Sequence, residues 1–175
     1  MSVLLLPFSE LSLPPQIDVS AGFDRAEPGA WTIYKRDFPD NPSMPVIENK
    51  TIKIHRRPHP ANQTREFTYW HMITHDVKKG VKDESSRIPD TKRLEKIPWA
   101  RPLLSNYSHP DIKRWRSVKH GKWSWYVWHA KLNYLLVLRD DYDGLLLSTA
   151  YCPAPENIKD YHTQWADAKK ARHTF

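Results

Sequence analysis

The residues of this chain whose types and spacing could do chemistry fall into three groups. One is His71, set in the aromatic run Arg65–His75. The second is a set of arginines fixed by local features: Arg87 before Ile88-Pro89, Arg93 in a turn that Asp90 can cap, and Arg101 before Pro102. The third is polar punctuation in an apolar stretch near the C-terminus: His129, Lys131, Arg139, Ser148, Thr149 and Tyr151. There is no phosphate-binding glycine loop, no dinucleotide fingerprint, no Gly-x-Ser-x-Gly elbow and no carboxylate pair at a strand end. Imidazole, guanidinium and hydroxyl groups without those motifs suit metal-independent RNA cleavage. A base takes the 2′-OH proton, cations steady the phosphorane, and another group protonates or steadies an oxygen. Histidine carries protons near neutral pH, and arginine grips phosphate through two donors. The same inventory suits RNA binding without catalysis.

The elements that must position these groups follow from periodicity. Trp123–Cys152 reads as three strands of an antiparallel meander. Its turns are Lys131-Leu132-Asn133 and Asp140–Gly144, with Gly144 expected to supply a positive φ. Two neighbouring strands apolar on both faces imply a sheet centre covered from both sides. In Arg65–His75, Phe67, Tyr69, His71 and Ile73 alternate with Thr68, Trp70, Met72 and Thr74, which predicts a strand. His71 and His75 would then lie about 13 Å apart, too far to share an ion, and no metal is expected. Pro28 is placed in the first turn of a short helix whose Trp31, Tyr34 and Phe38 face the core. Asp90 caps a second short helix that turns Leu94 and Ile97 inward and stops at Pro98. A C-terminal helix from about Asn157 buries Ile158, Tyr161, Trp165 and Ala168. Val46-Ile47 and Thr51–His55 are candidate strands; Arg56–Pro60 and Asp76–Ser86 read as loops.

The 175 residues suffice for one buried domain, and 39% hydrophobic content argues that it folds. The expected layout is an irregular arm over 1–22 and a single domain over 23–175. The chain carries a net charge of +7, which favours an anionic partner: nucleic acid, or an acidic protein. One cysteine, Cys152, excludes an intrachain disulfide and a cysteine-built zinc site. No membrane-spanning length and no signal-like flank are present, so a cytoplasmic protein is expected. Pro110–Lys122 holds Lys113, Arg114, Arg116, Lys119 and Lys122 around Trp115. That pattern suits single-stranded nucleic acid, with cations along the backbone and the indole stacked on a base.

Three segments in order, FTYWHMIT, RIPDTKRLEKIPWARPLL and YLLVLRDDYDGLLLSTAYC, resemble small phage- and mobile-element-associated proteins of the barnase–EndoU–colicin–RelE-like (BECR) nuclease superfamily. The resemblance covers roughly residues 30–165 and rests on motif order. It implies an α+β fold: a curved antiparallel sheet, built from the C-terminal meander and the strand carrying His71, with N- and C-terminal helices packed on it. It implies RNase activity in toxin or phage-conflict settings, and with it an acidic antitoxin or immunity partner. Carried over, the motifs imply His71 as general base or acid and Arg93 and Arg101 as phosphate clamps, with Thr149 and Tyr151 at the site floor. Arg87 and the basic segment through Lys122 would bind RNA. No cofactor is expected. The rival readings are a non-catalytic RNA-binding module and a phage accessory protein that docks an acidic partner.

Overall fold

The structure is a computed structural model that describes residues 11–77, 83–119 and 121–175. It is an α+β fold built on one strongly curled, mostly antiparallel six-stranded sheet, a half-barrel. Two short strands come first, β1 (Val46–Ile47) and β2 (Lys50–Lys53). Two further two-stranded ribbons lie outside the main sheet: β3 (Pro58–His59) with β4 (Asn62–Glu66), and β5 (Thr74–Asp76) with β6 (Arg87–Pro89). The meander supplies β7 (Ile112–Lys119), β8 (Lys122–His129), β9 (Tyr134–Asp141) and β10 (Gly144–Tyr151). The order across the sheet is β1-β2-β10-β9-β8-β7, and only the β2–β10 pair is parallel.

Alternation along β8 and β9 sorts their side chains between two cores. Trp125, Val127, Leu136 and Leu138 join the larger cluster, covered by α1 (Phe23–Asp37), α2 (Phe67–Ile73) and the helical segment before the meander. Tyr126, Trp128, Leu135 and Val137 face the other way, onto α5 (Pro155–Lys170) through Ile158, Tyr161, Trp165 and Ala168. Both faces of the central strands are therefore sealed, as their apolar sequence requires. The arm over residues 11–19 has no regular structure, yet Leu11, Leu13, Ile17 and Val19 pack on the larger core. Among the described residues no helix is long and apolar enough to cross a membrane.

Several expectations about local structure are corrected. Phe67–Ile73 is the helix α2 and not a strand. Thr68, Tyr69, Met72 and Ile73 are its buried side, a helical stripe that strict alternation conceals in so aromatic a sequence. His71 thus lies outside the sheet. α1 begins at Phe23, five residues before Pro28, because burying Ala26 and Glu27 stabilises the turn ahead of the proline. Pro98 does not stop the chain's helical run. After α3 (Thr91–Leu94) it sits in a single 3-10 turn, Ile97–Trp99, where its missing N–H is not needed, and α4 (Ala100–Ser105) follows. Pro58–His59, expected in a solvated loop, forms β3 with His59 fully buried.

Gly144 is needed for a different reason from the one expected. Its φ is not in the left-handed region. It opens β10 opposite Thr51 of β2, and a Cβ there would lie 2.5 Å from the Thr51 carbonyl oxygen. Only glycine lets the parallel strand approach. Gly144→Ala should therefore lower stability by about 1–3 kcal/mol, the usual range for forcing an atom into a packed site. The midpoint of urea unfolding checks this, and an unchanged midpoint would show that the β2–β10 junction yields freely.

Candidate active site

β2 pairs with β10 only along Gly144–Leu146. Beyond that point β10 carries a bulge between Leu147 and Thr149, and α2 takes the place of a neighbouring strand. Thr68 Oγ1 donates to the Leu147 carbonyl at 3.2 Å, and Thr149 Oγ1 donates to the His71 carbonyl at 2.9 Å. Between α2, the β5–β6 ribbon and the bulged strand lies a cleft of about 370 Å³. His71, Arg87, Arg93, Thr149 and Tyr151 all line it, joined by Arg139 and Glu84. Of the five proposed catalytic residues, the fold brings four together.

His71 is held from two sides. Phe67, one helical turn earlier, stacks on its ring at 4.4 Å between centroids, a contact that needs i, i+4 spacing on a helix. Its Nε2 lies 2.6 Å from Oε2 of Glu84. The same carboxylate oxygen lies 3.3 Å from Nε2 of the buried His59 and 3.8 Å from the Arg87 guanidinium. Burial, with the charge of Arg87 added, holds the His71 pKa down to about 4 against the partial support of Glu84. Partial burial would raise the Glu84 carboxyl, but His71, Arg87 and His59 outweigh it and leave it below its ordinary value. At neutral pH the pair is therefore a carboxylate and a neutral imidazole. With the Nε2 proton directed at Glu84, the ring's lone pair lies on Nδ1.

The donor atoms of His59, His71 and Glu84 lie within 4.8 Å of one another, close enough to hold a metal ion. Hydrogen bonding argues against that use. Nδ1 of His59 accepts the Ala61 backbone N–H at 3.0 Å, so a neutral ring carries its proton on Nε2, the atom facing Glu84. A metal would need a lone pair on that atom. The three groups fit a carboxylate that accepts from two imidazoles.

The arginines divide into scaffold and free cation. Arg93 donates to the carbonyls of Thr74 at 2.5 Å and His71 at 3.4 Å, and pairs with Asp90 at 3.1 Å. Burial draws its guanidinium below the usual value, opposed by Asp90. Arg87 is almost wholly buried and bonds Asp76 at 2.5 Å and both Thr74 oxygens. Arg139, by contrast, is exposed at the cleft, and its guanidinium has no hydrogen-bond or ion-pair partner among the described residues. Its position in an apolar strand was the signal for it; nothing in the sequence singled out Glu84 or His59. Tyr151 shares a hydrogen bond of 2.7 Å with Tyr161, and burial raises its phenol well above the usual value, so it stays neutral.

Arg93, expected as a phosphate clamp, and Arg87, expected to contact RNA, are thus held by protein groups instead, and two further expectations fail on geometry. Arg101 lies on α4 and donates to the carbonyls of Asp37 and Ser43, away from the cleft. It ties α1 to the linker and cannot clamp a phosphate beside His71. Trp115 is fully buried, stacked on Tyr126 at 4.8 Å beneath α5, and cannot receive a base. Its strand neighbours are also occupied. Lys113 contacts His162 and Trp165, Arg114 donates to the Tyr107 carbonyl, and Arg116 lies over Trp123 and Trp125. Lys122 is exposed and pairs through the backbone with Lys119 at the end of the β7–β8 hairpin. Comparison with protein-family models, with curated proteins and with solved structures finds no match.

The His71 titration is directly measurable. A folded pKa below the unfolded value means that this group's contribution to stability is complete above about pH 6.5 and is lost as pH falls towards about 4. The ring should stay neutral by NMR down to about pH 4. Glu84→Gln should lower the inflection further, because the carboxylate is what supports the protonated ring. An inflection near the ordinary histidine value would mean that the ring is neither buried nor facing Arg87.

Proposed function

We propose that the protein is a metal-independent endoribonuclease that cuts RNA by attack of the 2′-OH on the adjacent phosphate. The observation that carries this reading is the Glu84-oriented, neutral His71 in one cleft with the unpartnered Arg139. In the reaction, His71 Nδ1 takes the 2′-OH proton, and Glu84 steadies the imidazolium through Nε2. The 2′-oxygen forms a bond to phosphorus, and the bond to the 5′-oxygen breaks, leaving a 2′,3′-cyclic phosphate. Arg139 stabilises the charge that builds on the non-bridging oxygens, with the Tyr151 hydroxyl as a further donor. The leaving oxygen takes its proton from another imidazole on the cleft wall, His55 or His75. Arg93 and Thr149 position His71 by holding its carbonyl, and Arg87 acts through Glu84 and Thr74. An activity of this kind, in a toxin-like protein, calls for an acidic antitoxin or immunity partner to restrain it, and the net charge of +7 is compatible with one.

Cleavage should survive EDTA, leave 2′,3′-cyclic phosphate ends and vanish when every ribose is replaced by deoxyribose, with binding retained. His71→Ala and Arg139→Ala should each slow single-turnover cleavage about 10²-fold or more, the scale for losing a proton-transfer group or a charge stabiliser. Arg101→Ala should cut at the wild-type rate if it still folds. The acid limb of the kcat/KM profile should lie near pH 4 rather than at neutrality, because it reports His71 in the free enzyme. Protein that binds RNA and leaves it uncut from pH 5 to 9 would favour a binding module instead.

A further inference from the structure

The cleft draws its walls from three elements, and each supplies a different group. α2 brings His71, the sheet brings Arg139, and the β5–β6 ribbon brings His75. His71 and His75 are four residues apart, and a continued helix would set them side by side. The backbone instead turns extended at Thr74 (φ −132°, ψ 164°), which ends α2 and carries His75 onto β5 opposite Ile88. The two imidazoles therefore stand on separate walls of one cavity. In-line displacement at phosphorus needs such a placement. One group takes a proton from the attacking oxygen, and another gives one to the oxygen that leaves on the far side.

Asp90 decides how the His75 ring is presented. Nδ1 of His75 is buried and makes no hydrogen bond of ordinary geometry, and it faces Oδ2 of Asp90 at 3.4 Å. With 43% of the side chain exposed, the accessible nitrogen is Nε2, on the open side of the ring. Asp90 is itself fixed. Its backbone N–H donates to the Ile73 carbonyl at 2.9 Å, its side chain caps α3 by accepting the Arg93 N–H, and Oδ2 lies 3.1 Å from the Arg93 guanidinium. A fixed carboxylate behind one nitrogen, with the other nitrogen open, orients an imidazole for proton transfer. His55, the remaining imidazole on the cleft wall, lacks such a group. It is exposed, lies edge-on to Phe67 at 5.8 Å between centroids, and its ring has no hydrogen bond or ion pair among the described residues.

We propose that His75 is the general acid of the cleavage step and that Asp90 is its positioning residue. The assignment rests on the RNA-cleavage reading and supplies the half of the proton transfer that His71 does not perform. As the 2′-oxygen bonds to phosphorus, the bond from phosphorus to the 5′-oxygen breaks with its electron pair on that oxygen, which takes the proton from Nε2 of His75. His75 leaves the step neutral and His71 leaves it protonated, and exchange with water restores both.

A leaving atom that needs no proton isolates this role. In RNA whose cleavable linkage carries sulfur in place of the bridging 5′-oxygen, the thiolate departs unprotonated. Wild-type protein should cut both linkages. His75→Gln should cut the oxygen linkage about 10²-fold or more slowly in single turnover, and the sulfur linkage at about the wild-type rate. Asp90→Asn, which keeps a capping side chain for α3, should show a smaller loss with the same recovery. His71→Ala should be slow on both linkages, because the 2′-OH proton must be removed in either case. The recovered sulfur rate also shows that the variants fold. A His75→Gln protein that matches wild type on the oxygen linkage would overturn the assignment, as would a folded one, judged by its amide NMR spectrum, that loses equally on both. Recovery by sulfur confined to His55→Gln would overturn it in favour of His55. Wild-type protein that cuts neither linkage would remove the cleavage reading, and this assignment with it.

Discussion

The end of α2 is the constraint on which the rest of the site depends. A helix of seven residues leaves most of its last carbonyls without partners of its own, and this one ends inside the protein. Nearly every orphan is met by a group from elsewhere in the chain. The Trp70 carbonyl accepts from Thr74 Oγ1, that of His71 from Thr149 and Arg93, and that of Ile73 from the Asp90 backbone. The Thr74 carbonyl then takes both Arg93 and Arg87. Two guanidinium groups at the negative end of the helix also complement its dipole. The bulge in β10 is what presents Thr149 to the helix rather than to a neighbouring strand. These bonds fix the backbone of His71, and Phe67 and Glu84 then fix its ring. The rotational freedom that an isolated imidazole would have to surrender during a reaction is already removed.

This arrangement explains why the cleft separates its cations. Arg93 and Arg87 are largely buried and held by protein groups, so any loss there would leave carbonyls unpaired and displace His71. Arg139 comes from the sheet, is exposed and is uncommitted. A phosphate entering the cleft therefore meets one free guanidinium and a neutral imidazole. Its own negative charge would raise the His71 pKa above the value in the empty cleft, towards one better matched to proton transfer at neutral pH.

Much of the scaffold was legible in the sequence because hydrophobic pattern dictates it. The meander, its turns, the two-sided burial of β8 and β9, the Asp90 cap and the inner face of α5 all follow from short-range periodicity. The helix α2 was not legible. Seven residues of aromatic and β-branched character satisfy alternation and helical spacing about equally, and the decision came from long-range bonds to β10. The site was half legible for the same reason. His71, Arg93, Thr149 and Tyr151 stand in distinctive local sequence, whereas Glu84 lies in a charged stretch that looks like any solvated loop. Arg101 misled because a proline beside an arginine reports local rigidity and says nothing of where the side chain points. Trp115 misled because a basic segment around one tryptophan describes an edge strand under a helix as well as it describes a base-stacking surface.

The central claim is that the imidazole of His71 is the base in RNA cleavage, and chemical rescue tests it most directly. His71→Gly leaves a space beside Phe67 and Glu84 that free imidazole can enter. The account predicts that His71→Gly is nearly inactive in single-turnover cleavage. Added imidazole should then restore the rate in a saturable manner, with a pH dependence that follows the imidazole added. A His71→Gly protein that cuts RNA at the wild-type rate without imidazole would contradict the account and move the chemistry to another residue.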